Sequence, residues 1–387
     1  MARSNARPDL FLLGIMVFII AFGILILASV SAPYSLEKFG TTFYFLRHQI
    51  LFGLIPGLIL AFFAFRIDLS RLKKWAPRLL LFNLILMIMV FLPVIGSGSE
   101  SAARWIYLGP FSFQPSELLK LTFILYLASW LSSRTPHQNP ARKQASYGAG
   151  KFGTGQAEKI TDFSQTFIAF LIVLGIIAVL LFFQSHASTL AIILVISAIM
   201  YFSVNLPLWH SILMILIGVG GLFSLIKFAP YRANRFLVFL HPDFDPMGIG
   251  YQINQALIAI GSGGLVGLGL SMSTQKWGFL PQTISDSIFA IFAEETGFIG
   301  SIFLIFLFLI FLWRGLKIAK DAKDGFSRLL SLGITSWIIL QAFVNIGAMT
   351  GILPLTGVPL PFISYGGSAL VIELVGAGLL LNVSKNN

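Results

Sequence analysis

The amino-acid sequence predicts an all-α membrane protein, and three observations lead to this prediction. The 387 residues are 57% hydrophobic and only 11% charged, with a mean hydropathy of +0.88. A soluble domain of this size cannot bury so much apolar surface. Apolar runs of about 17 to 25 residues recur along the chain, and helices of that length match the hydrocarbon thickness of a bilayer. No stretch shows the alternation of apolar and polar residues that membrane β-strands require.

We predict ten transmembrane helices from these runs. They lie at 10–31, 49–65, 78–95, 117–132, 163–183, 188–204, 210–228, 288–313, 329–349 and 368–382. The first run is too long for a cleaved signal peptide, and no small-residue cleavage site follows it, so we expect a retained span. No internal repeat is strong enough to indicate the inverted-repeat architecture of many transporters. The chain is therefore expected to form a single transmembrane domain over 1–387.

Lysine and arginine are distributed unevenly between the predicted loops. With the N-terminus inside, 18 of the 26 basic residues fall in cytoplasmic segments. This asymmetry satisfies the positive-inside rule, so both termini are predicted to be cytoplasmic. The segment 133–162 is rich in glycine, serine and basic residues and is predicted to be a flexible cytoplasmic loop. The polar segment 229–287 is then a large loop on the outer side.

Charge and composition exclude several classes of function. The net charge of +11 lies in short clusters beside the predicted spans, where anionic lipid headgroups explain it, so no nucleic-acid partner is predicted. The chain has no cysteine, which excludes disulfides, thiolate nucleophiles and zinc–thiolate sites. The glycines at 261, 263, 264, 267 and 269 lack the βαβ context of a dinucleotide loop. Close helix packing or a re-entrant turn is predicted for them instead.

The outward segment 97–120 carries an arginine beside aromatic residues, and then a charged pair. Arg104, Trp105 and Tyr107 form a pattern typical of an interfacial anchor, although a guanidinium also suits phosphate oxygens. Glu117 and Lys120 share one helix face, so they can form an ion pair at the outer end of a span. Two interpretations stay open: a structural anchor with its ion pair, or a site that binds the diphosphate of a lipid-linked substrate.

The outward segment 229–287 ends on an aspartate just before a new hydrophobic helix. Asp286 is predicted to lie on the same side of the membrane as Arg232, Arg235 and Lys276, and these three cations are predicted to bind substrate. A carboxylate among cations at a membrane surface is a candidate for chemistry, because loops on a rigid helical scaffold commonly carry function.

A structural interpretation of the same aspartate stays open. Serine and aspartate are common helix N-caps, so Ser285 or Asp286 could cap the eighth span without any catalysis. Glu294 and Glu295 lie about two turns deeper and point roughly 80° and 180° away from Asp286. They are predicted to be buried, paired groups rather than partners in a carboxylate dyad.

Five motifs carry a family resemblance. They are RWIYLGPFSFQPSELLK at 104–120, YRANR at 231–235, GYQINQALIAIGSGG at 250–264, QKWGFLPQTISDSIFAIFAEETG at 275–297 and GILPLTGVPLPFISYGGSAL at 351–370. In this order they resemble the SEDS family of ten-span membrane proteins, which includes FtsW, RodA and SpoVE. The resemblance covers nearly the whole chain. We favour a division-type, FtsW-like member over an elongation-type, RodA-like one.

The resemblance implies a peptidoglycan glycosyltransferase that polymerises lipid II into glycan strands on the outer face of the bacterial cytoplasmic membrane. Its implied partners are lipid II and the growing lipid-linked glycan, a class B penicillin-binding transpeptidase, and other division or elongation membrane proteins. The essential family aspartate falls on Asp286, the family Arg-Trp pair on Arg104 and Trp105, and the family lysine on Lys120.

This assignment frames a mechanism. Asp286 would be the general base toward the acceptor hydroxyl, while Arg104, Lys120 or the loop arginines stabilise the diphosphate leaving group. No organic cofactor is expected. A divalent cation, Mg²⁺ or Mn²⁺, could assist, and since no metal-ligand spacing is visible it would be bridged by phosphate and Asp286.

The sequence departs from the family pattern at three places. Ser287 replaces an aromatic residue, Pro-Gln stands at 281–282 in place of Pro-Glu, and His186 stands in QSHAST at 184–189 where the family has an acidic residue. We predict His186 to be a polar residue at a loop end.

Two functions of other classes stay open. A lipid II flippase would use Arg104 and Lys120 equally well for headgroup transport, and a scaffold of the division complex would need no chemistry.

Overall fold

A computed structural model of the chain describes residues 8–92, 104–108, 111–134, 155–204, 230–241 and 245–386, with isolated positions between 212 and 221. These ranges are mostly helical, and a π-helical turn at Ile50–Leu54 joins the second helix to the third. The helices are α1 (Leu10–Phe39), α2 (Tyr44–Gln49), α3 (Ile55–Arg66), α4 (Leu69–Met89), α5 (Pro115–Arg134), α6 (Gly155–Phe183), α7 (Ala187–Phe202), α8 (Pro230–Leu240), α9 (Tyr251–Ser262), α10 (Ile288–Asp321), α11 (Gly325–Met349) and α12 (Gly367–Lys385).

The chain is a membrane protein. Within the described ranges, the stretches long and apolar enough to cross a bilayer are Leu10–Phe39, Tyr44–Arg66, Ile288–Asp321, Gly325–Met349 and Gly367–Lys385. Each of these five overlaps a predicted span. Four more predicted spans, between 78 and 204, overlap α4 to α7, of which Phe167–Phe183 and Ala187–Phe202 are apolar but shorter. The span predicted at 210–228 lies almost entirely outside the described residues, so the number of ten stays a prediction.

The two segments predicted as loops contain some helix. Helix α5 ends at Arg134 and α6 begins at Gly155, while 135–154 lie outside the described residues. The flexible loop predicted at 133–162 therefore stays a prediction for 135–154 only. The segment 229–287 holds α8 and α9, and its last part, from Gly263 to Ser287, consists of turns.

The described residues are mostly helical, as the all-α prediction requires, and they also include a small antiparallel hairpin that was not predicted. Strand β1 (Ile106–Leu108) pairs with β2 (Phe111–Phe113), with Ile106 opposite Phe113. Ile106 is buried and Tyr107 exposed, as alternation along a strand requires. The hairpin was missed because three-residue strands carry almost no periodic signal, although the Gly-Pro sequence between them is typical of a turn.

Helix α10 is broken at Gly297, and the glycine-rich segment after α9 fills the break. Gly297 has a left-handed φ of 67°, which interrupts the helical hydrogen bonds. The carbonyls of Glu294 and Glu295 accept instead from the N–H groups of Leu268 and Gly269, both at 3.0 Å. The next N–H groups of α10, at 298 and 299, donate in turn to the carbonyls at 264 and 265. The close packing predicted for the glycines is confirmed at Gly263 and Gly267, whereas Gly261 and Gly264 have nothing within 4 Å of their Cβ positions.

Gly267 is the tightest point of this packing, and its substitution tests the arrangement. Its φ is 83°, and a Cβ at this position would lie 2.2 Å from the Glu295 carbonyl oxygen. We expect Gly267→Ala to lower the free energy of unfolding by about 2 to 4 kcal/mol, because it adds backbone strain to a backbone clash. Gly261→Ala is the control, since Gly261 lies in α9 with nothing within 4 Å of its Cβ position.

The two variants are compared by thermal unfolding in detergent. Alanine in a helix is favoured over glycine by about 1 kcal/mol, so Gly261→Ala is expected to keep or raise the midpoint. Equal midpoints for the two variants would contradict the packing of this segment against α10.

Candidate active site

Asp286 lies in the last turn before α10 and is partly buried. Its Oδ1 accepts a hydrogen bond from Ser285 Oγ at 2.9 Å. The prediction that Ser285 or Asp286 caps the helix is wrong: Ile288 begins α10, and the N-cap residue is Ser287, whose side chain makes no capping bond. The reason is a turn, closed by bonds from the Ser285 and Ser287 N–H groups to the Gln282 carbonyl, that comes between the loop and the helix. The carboxylate is thus not used for capping.

The environment of Asp286 makes its carboxylate a stronger proton acceptor than that of an ordinary aspartate. Burial raises the pKa of its carboxyl, while the Ser285 hydrogen bond, the Arg235 guanidinium and the Gln252 amide oppose this rise. A Cβ placed on Gly357 would lie 3.7 Å from Asp286 Oδ2, so the segment after α11 closes one side of the carboxylate. Perturbed acids of this kind are typical of functional sites.

A cleft of about 330 Å³ opens beside this carboxylate, and its lining includes Arg235, Tyr251, Gln252, Pro281 and Leu355. Arg235, on α8, is exposed, and its Nη1 donates to the Leu355 carbonyl at 3.2 Å. Gln252 Nε2 donates to Ser287 Oγ at 3.1 Å, which ties α9 to the start of α10. The cleft therefore combines a cation, an amide and a phenol next to a carboxylate with a raised pKa.

Arg232 lies on α8 with Arg235, but its side chain is outside the described residues. Its predicted substrate-binding role stays a prediction.

Arg104 lies against the turn between α6 and α7. Its Nε donates to the Gln184 carbonyl and its Nη2 to the Ser185 carbonyl, both at 3.1 Å. Trp105, the next residue, is partly exposed at the start of the hairpin. The turn is strained, since Ser185 has a φ of 56°.

His186 follows this turn, as the loop-end position predicted for it requires. Its Nε2 is 2.8 Å from Gln114 Nε2. Burial, with Arg104 and then Lys120 nearby, lowers its pKa to about 3. The imidazole is therefore neutral at physiological pH and adds no charge beside Arg104.

The turn that contacts Arg104 is linked to Asp286 through the segment after α11. Ser188 Oγ, in the first turn of α7, donates to the Thr356 carbonyl. The next residue, Gly357, is the one that faces Asp286. The two predicted outward segments thus meet on opposite sides of residues 355–357.

Glu117 and Lys120 form the predicted ion pair, with Lys120 Nζ 2.8 Å from Glu117 Oε2. Lys120 is only 2% exposed, and its Nζ also donates to Gln341 Oε1 at 2.7 Å. Gln341 in turn donates to Glu373 Oε1 at 3.0 Å. These contacts support the structural interpretation of the pair, and its substrate-binding role stays a prediction.

Lys276 points inward and away from the cleft. It is 3% exposed, and its Nζ is 2.7 Å from Glu295 Oε1. Glu295 also accepts from Ser29 Oγ, and Glu294 accepts from the backbone and hydroxyl of Thr274. Both glutamates are buried, as predicted; Glu295 is paired with a lysine, and Glu294 is held by hydrogen bonds. Lys276 therefore fixes the loop to α10, and its predicted contact with substrate stays a prediction.

Comparison with known proteins identifies one family for this chain. A model described as "Cell cycle protein", for FtsW, RodA and SpoVE, matches residues 9–387. The chain belongs to this family. Stage V sporulation protein E of Bacillus subtilis is 36% identical over 385 residues, which cover 100% of this chain and 99% of that relative. A probable peptidoglycan glycosyltransferase FtsW of Geobacter sp. is 35% identical over 376 residues, covering 97% of this chain and 96% of the relative.

Solved structures of the FtsW, RodA and SpoVE family match along the same length. The rod shape determining protein RodA of Thermus thermophilus has a TM-score of 0.65 at 26% identity, over 98% of this chain and 97% of that one. A chain from a study of structural coordination of polymerization and crosslinking by a peptidoglycan synthase complex has a TM-score of 0.71 at 26% identity, over 98% of both chains. The family resemblance predicted from the five motifs is confirmed.

Residues from later in the chain also surround Asp286, and these were not predicted from the sequence. Leu355 and Gly357 line or face the site, and Asn345 donates to the Asp286 carbonyl at 2.7 Å. The motif at 351–370 was recognised, yet a single sequence gives no sign of which loops meet. Among the described residues, no group of three or more histidine, cysteine, aspartate or glutamate side chains could hold a metal ion.

Proposed function

We propose that this protein is a peptidoglycan glycosyltransferase that polymerises lipid II on the outer face of the bacterial cytoplasmic membrane. One observation carries the proposal: a partly buried aspartate with a raised pKa lies beside an open cleft that also contains an exposed arginine. Membership of the FtsW, RodA and SpoVE family supports it, because relatives that match nearly the whole chain carry the glycosyltransferase name.

The proposed reaction joins two lipid-linked sugars. The oxygen of the acceptor 4-hydroxyl forms a bond to the anomeric carbon of the growing chain, and the bond from that carbon to the diphosphate oxygen breaks. Asp286 takes the proton of the hydroxyl as a general base. Arg235 stabilises the negative charge that develops on the departing polyprenyl diphosphate. Arg104 and Trp105 position the substrate from the other side of residues 355–357.

In this proposal a divalent cation would have one protein ligand. Asp286 would hold it together with diphosphate oxygens, as Mg²⁺ and Mn²⁺ sites at phosphates commonly do, and it would neutralise charge on the leaving group.

The orientation and partners belong to the same proposal. Ten spans with both termini in the cytoplasm would place Asp286 outside, where lipid II is polymerised. A single-span class B penicillin-binding transpeptidase and other division or elongation membrane proteins are the proposed partners, because a structural relative comes from a peptidoglycan synthase complex. We favour the division-type role since relatives named FtsW match nearly the whole chain.

The proposal is tested by measuring glycan synthesis from lipid II. The purified protein with its transpeptidase partner is expected to make glycan strands, and Asp286→Asn in the same complex is expected to make them at least about 100-fold more slowly. A flippase would instead move labelled lipid II across a proteoliposome bilayer with the Asp286→Asn variant still competent, and a scaffold would do neither.

The pH dependence of the rate follows from the burial of Asp286. A general base must be ionised, so glycan synthesis is expected to fall as the pH drops through the pKa of this carboxyl. Because burial raises that pKa above 3.8, the fall should begin at a higher pH than for an ordinary aspartate. Initial rates measured from about pH 4 to pH 8, with recovery checked at neutral pH, give the midpoint. A midpoint at or below that of a solvated aspartate would contradict the role.

A further inference from the structure

Three successive backbone carbonyls around Asp286 each accept a hydrogen bond from the last part of the chain. The pairs are Tyr365 N with the Ile284 carbonyl at 2.8 Å, Ser364 Oγ with the Ser285 carbonyl, and Asn345 Nδ2 with the Asp286 carbonyl at 2.7 Å. The loop carrying the aspartate is thus fixed through its main chain, and none of these three bonds uses its carboxylate.

Asn345 lies near the end of α11 and is 1% exposed. The same amide nitrogen also donates to the Val358 carbonyl at 2.7 Å. One side chain therefore joins the backbone at Asp286 to the segment that closes the site through Gly357. Removal of a partner leaves buried carbonyls unpaired, which is costly and would let the two segments move apart.

Ser364 makes a similar double contact. Its Oγ donates to the Ser285 carbonyl and accepts from the Leu360 N–H at 2.8 Å. Its own carbonyl accepts from Gln49 Nε2 at 3.3 Å, and Gln49 Oε1 accepts from the Gly366 N–H at 3.0 Å. The serine is held from α2 on one side and holds the Asp286 loop on the other.

A buried network supports this arrangement from inside the bundle. Phe362 has a φ of 63°, unusual for a residue with a side chain, and its N–H donates to Glu373 Oε2 at 2.8 Å. Glu373 is bound by Gln341, which is bound by Lys120. The segment 358–366 is therefore a rigid surface against which the Asp286 loop is set.

We propose that Asn345 and Ser364 are positioning residues that hold the backbone of Asp286 in its reactive place, an inference that rests on the proposed function. Neither side chain needs to touch substrate. A general base acts only within hydrogen-bond reach of the proton that it takes, and a displacement of about 1 Å can cost about 100-fold in rate. Both side chains fix the carbonyls on which the direction of the carboxylate depends.

Asn345→Ala separates positioning from simple loss of stability, because the chain offers a matched control. Asn382 is also buried on a helix, and its Nδ2 also donates to two backbone carbonyls, those of Ala64 at 2.9 Å and Ile67 at 2.7 Å. It lies roughly 22 Å along α12 from the start of that helix, toward the opposite end of the bundle from Asp286. Both alanine variants lose the same kind of contact and are expected to lose similar thermal stability.

Ser364→Ala has a matched control of the same kind. Ser384 Oγ donates to the Leu381 carbonyl at 2.8 Å and accepts from the Asp9 N–H at 3.1 Å, again at the far end of α12. The measurement is steady-state glycan synthesis from lipid II by each variant in complex with the transpeptidase, normalised to folded protein. We expect kcat to fall about 30- to 100-fold in Asn345→Ala and about 10-fold in Ser364→Ala, with KM for lipid II nearly unchanged. Asn382→Ala and Ser384→Ala should stay within about threefold of wild type.

The outcomes distinguish this inference from the function on which it rests. If Asp286→Asn is inactive while Asn345→Ala and Ser364→Ala are no slower than their controls, the positioning role alone is overturned. A rise in KM with kcat unchanged would likewise overturn it, because that pattern indicates lost substrate binding. If Asp286→Asn still polymerises at the native rate, both the function of the aspartate and this inference fail.

Discussion

Asp286→Asn is expected to lower glycan synthesis by about 100- to 10,000-fold, the range in which general base catalysis contributes. The amide has nearly the shape of the carboxylate but cannot take a proton at neutral pH. Its folding should not suffer. Burial raises the pKa of Asp286, so the folded state binds its proton more tightly than the unfolded state does, and above that pKa the ionised carboxylate destabilises the fold. A neutral replacement therefore removes a cost, and the thermal midpoint is expected to stay equal or rise.

The control for this prediction is Asp68→Asn. Asp68 also accepts from a neighbouring serine, with Ser70 Oγ at 3.0 Å, but it caps α4 and is exposed. Its pKa is lowered by the Ser70 backbone and side-chain bonds, so loss of its charge should slightly lower stability and leave synthesis unchanged. Asp68→Asn is thus expected to lower stability slightly and to leave synthesis unchanged. Asp286→Asn is expected to keep or raise stability and to lower synthesis. Native-rate polymerisation by Asp286→Asn would refute the catalytic role.

The sequence predicts the membrane class and the position of the aspartate because both depend on local signals. Hydropathy marks a span wherever the solvent is lipid, and an acidic residue next to a span is conspicuous against so few charges. The predicted helices that the structure describes accordingly lie where the apolar runs lie. The break in α10 at Gly297 was not predictable in the same way, because it depends on the packing of a glycine-rich segment from elsewhere in the chain.

The two lysines illustrate what a single sequence leaves open. Lys120 and Lys276 both stand in segments predicted to face outward, beside polar residues, so a role in binding an anionic substrate was a reasonable prediction. In the fold each is almost fully buried against a glutamate, at 2.8 and 2.7 Å. Whether a long side chain points to the cleft or to a partner depends on helix rotation and on contacts far along the chain, and neither is recorded in local spacing.

The buried network also shows why Lys120 variants cannot identify the substrate site. Lys120 is connected through Gln341 and Glu373 to Phe362, in the segment that holds the Asp286 loop. Its removal would leave buried carboxylates without a cation, which costs several kcal/mol, and it would also disturb the loop. Loss of activity would follow whether Lys120 binds substrate or only supports the fold. An exposed cation beside the carboxylate gives a cleaner test.

Arg235→Ala is expected to lower kcat by about 100- to 1,000-fold, as loss of one donor to a developing charge does in other enzymes. Arg235 is exposed at the cleft, and its guanidinium favours the ionised form of Asp286. Removal of this positive charge should therefore raise the pKa of Asp286 further, so the acid side of the rate profile should move to higher pH. Arg235→Lys keeps the charge and is expected to restore the pH profile more than the rate, because an ammonium lacks the planar fork that suits a diphosphate.

Arg328→Ala is the matched control for this variant. Arg328 is exposed near the start of α11, and its Nη2 donates to the Ser203 carbonyl at 3.0 Å, much as Arg235 donates to Leu355. Each alanine variant loses one exposed guanidinium and one bond to a backbone carbonyl, so any general effect on the fold is shared. A lower rate and a shifted pH profile in Arg235→Ala alone would tie the arginine to the reacting groups. Equal rates and equal profiles in the two variants would mean that the diphosphate is bound elsewhere, with Arg104 then the next cation to test.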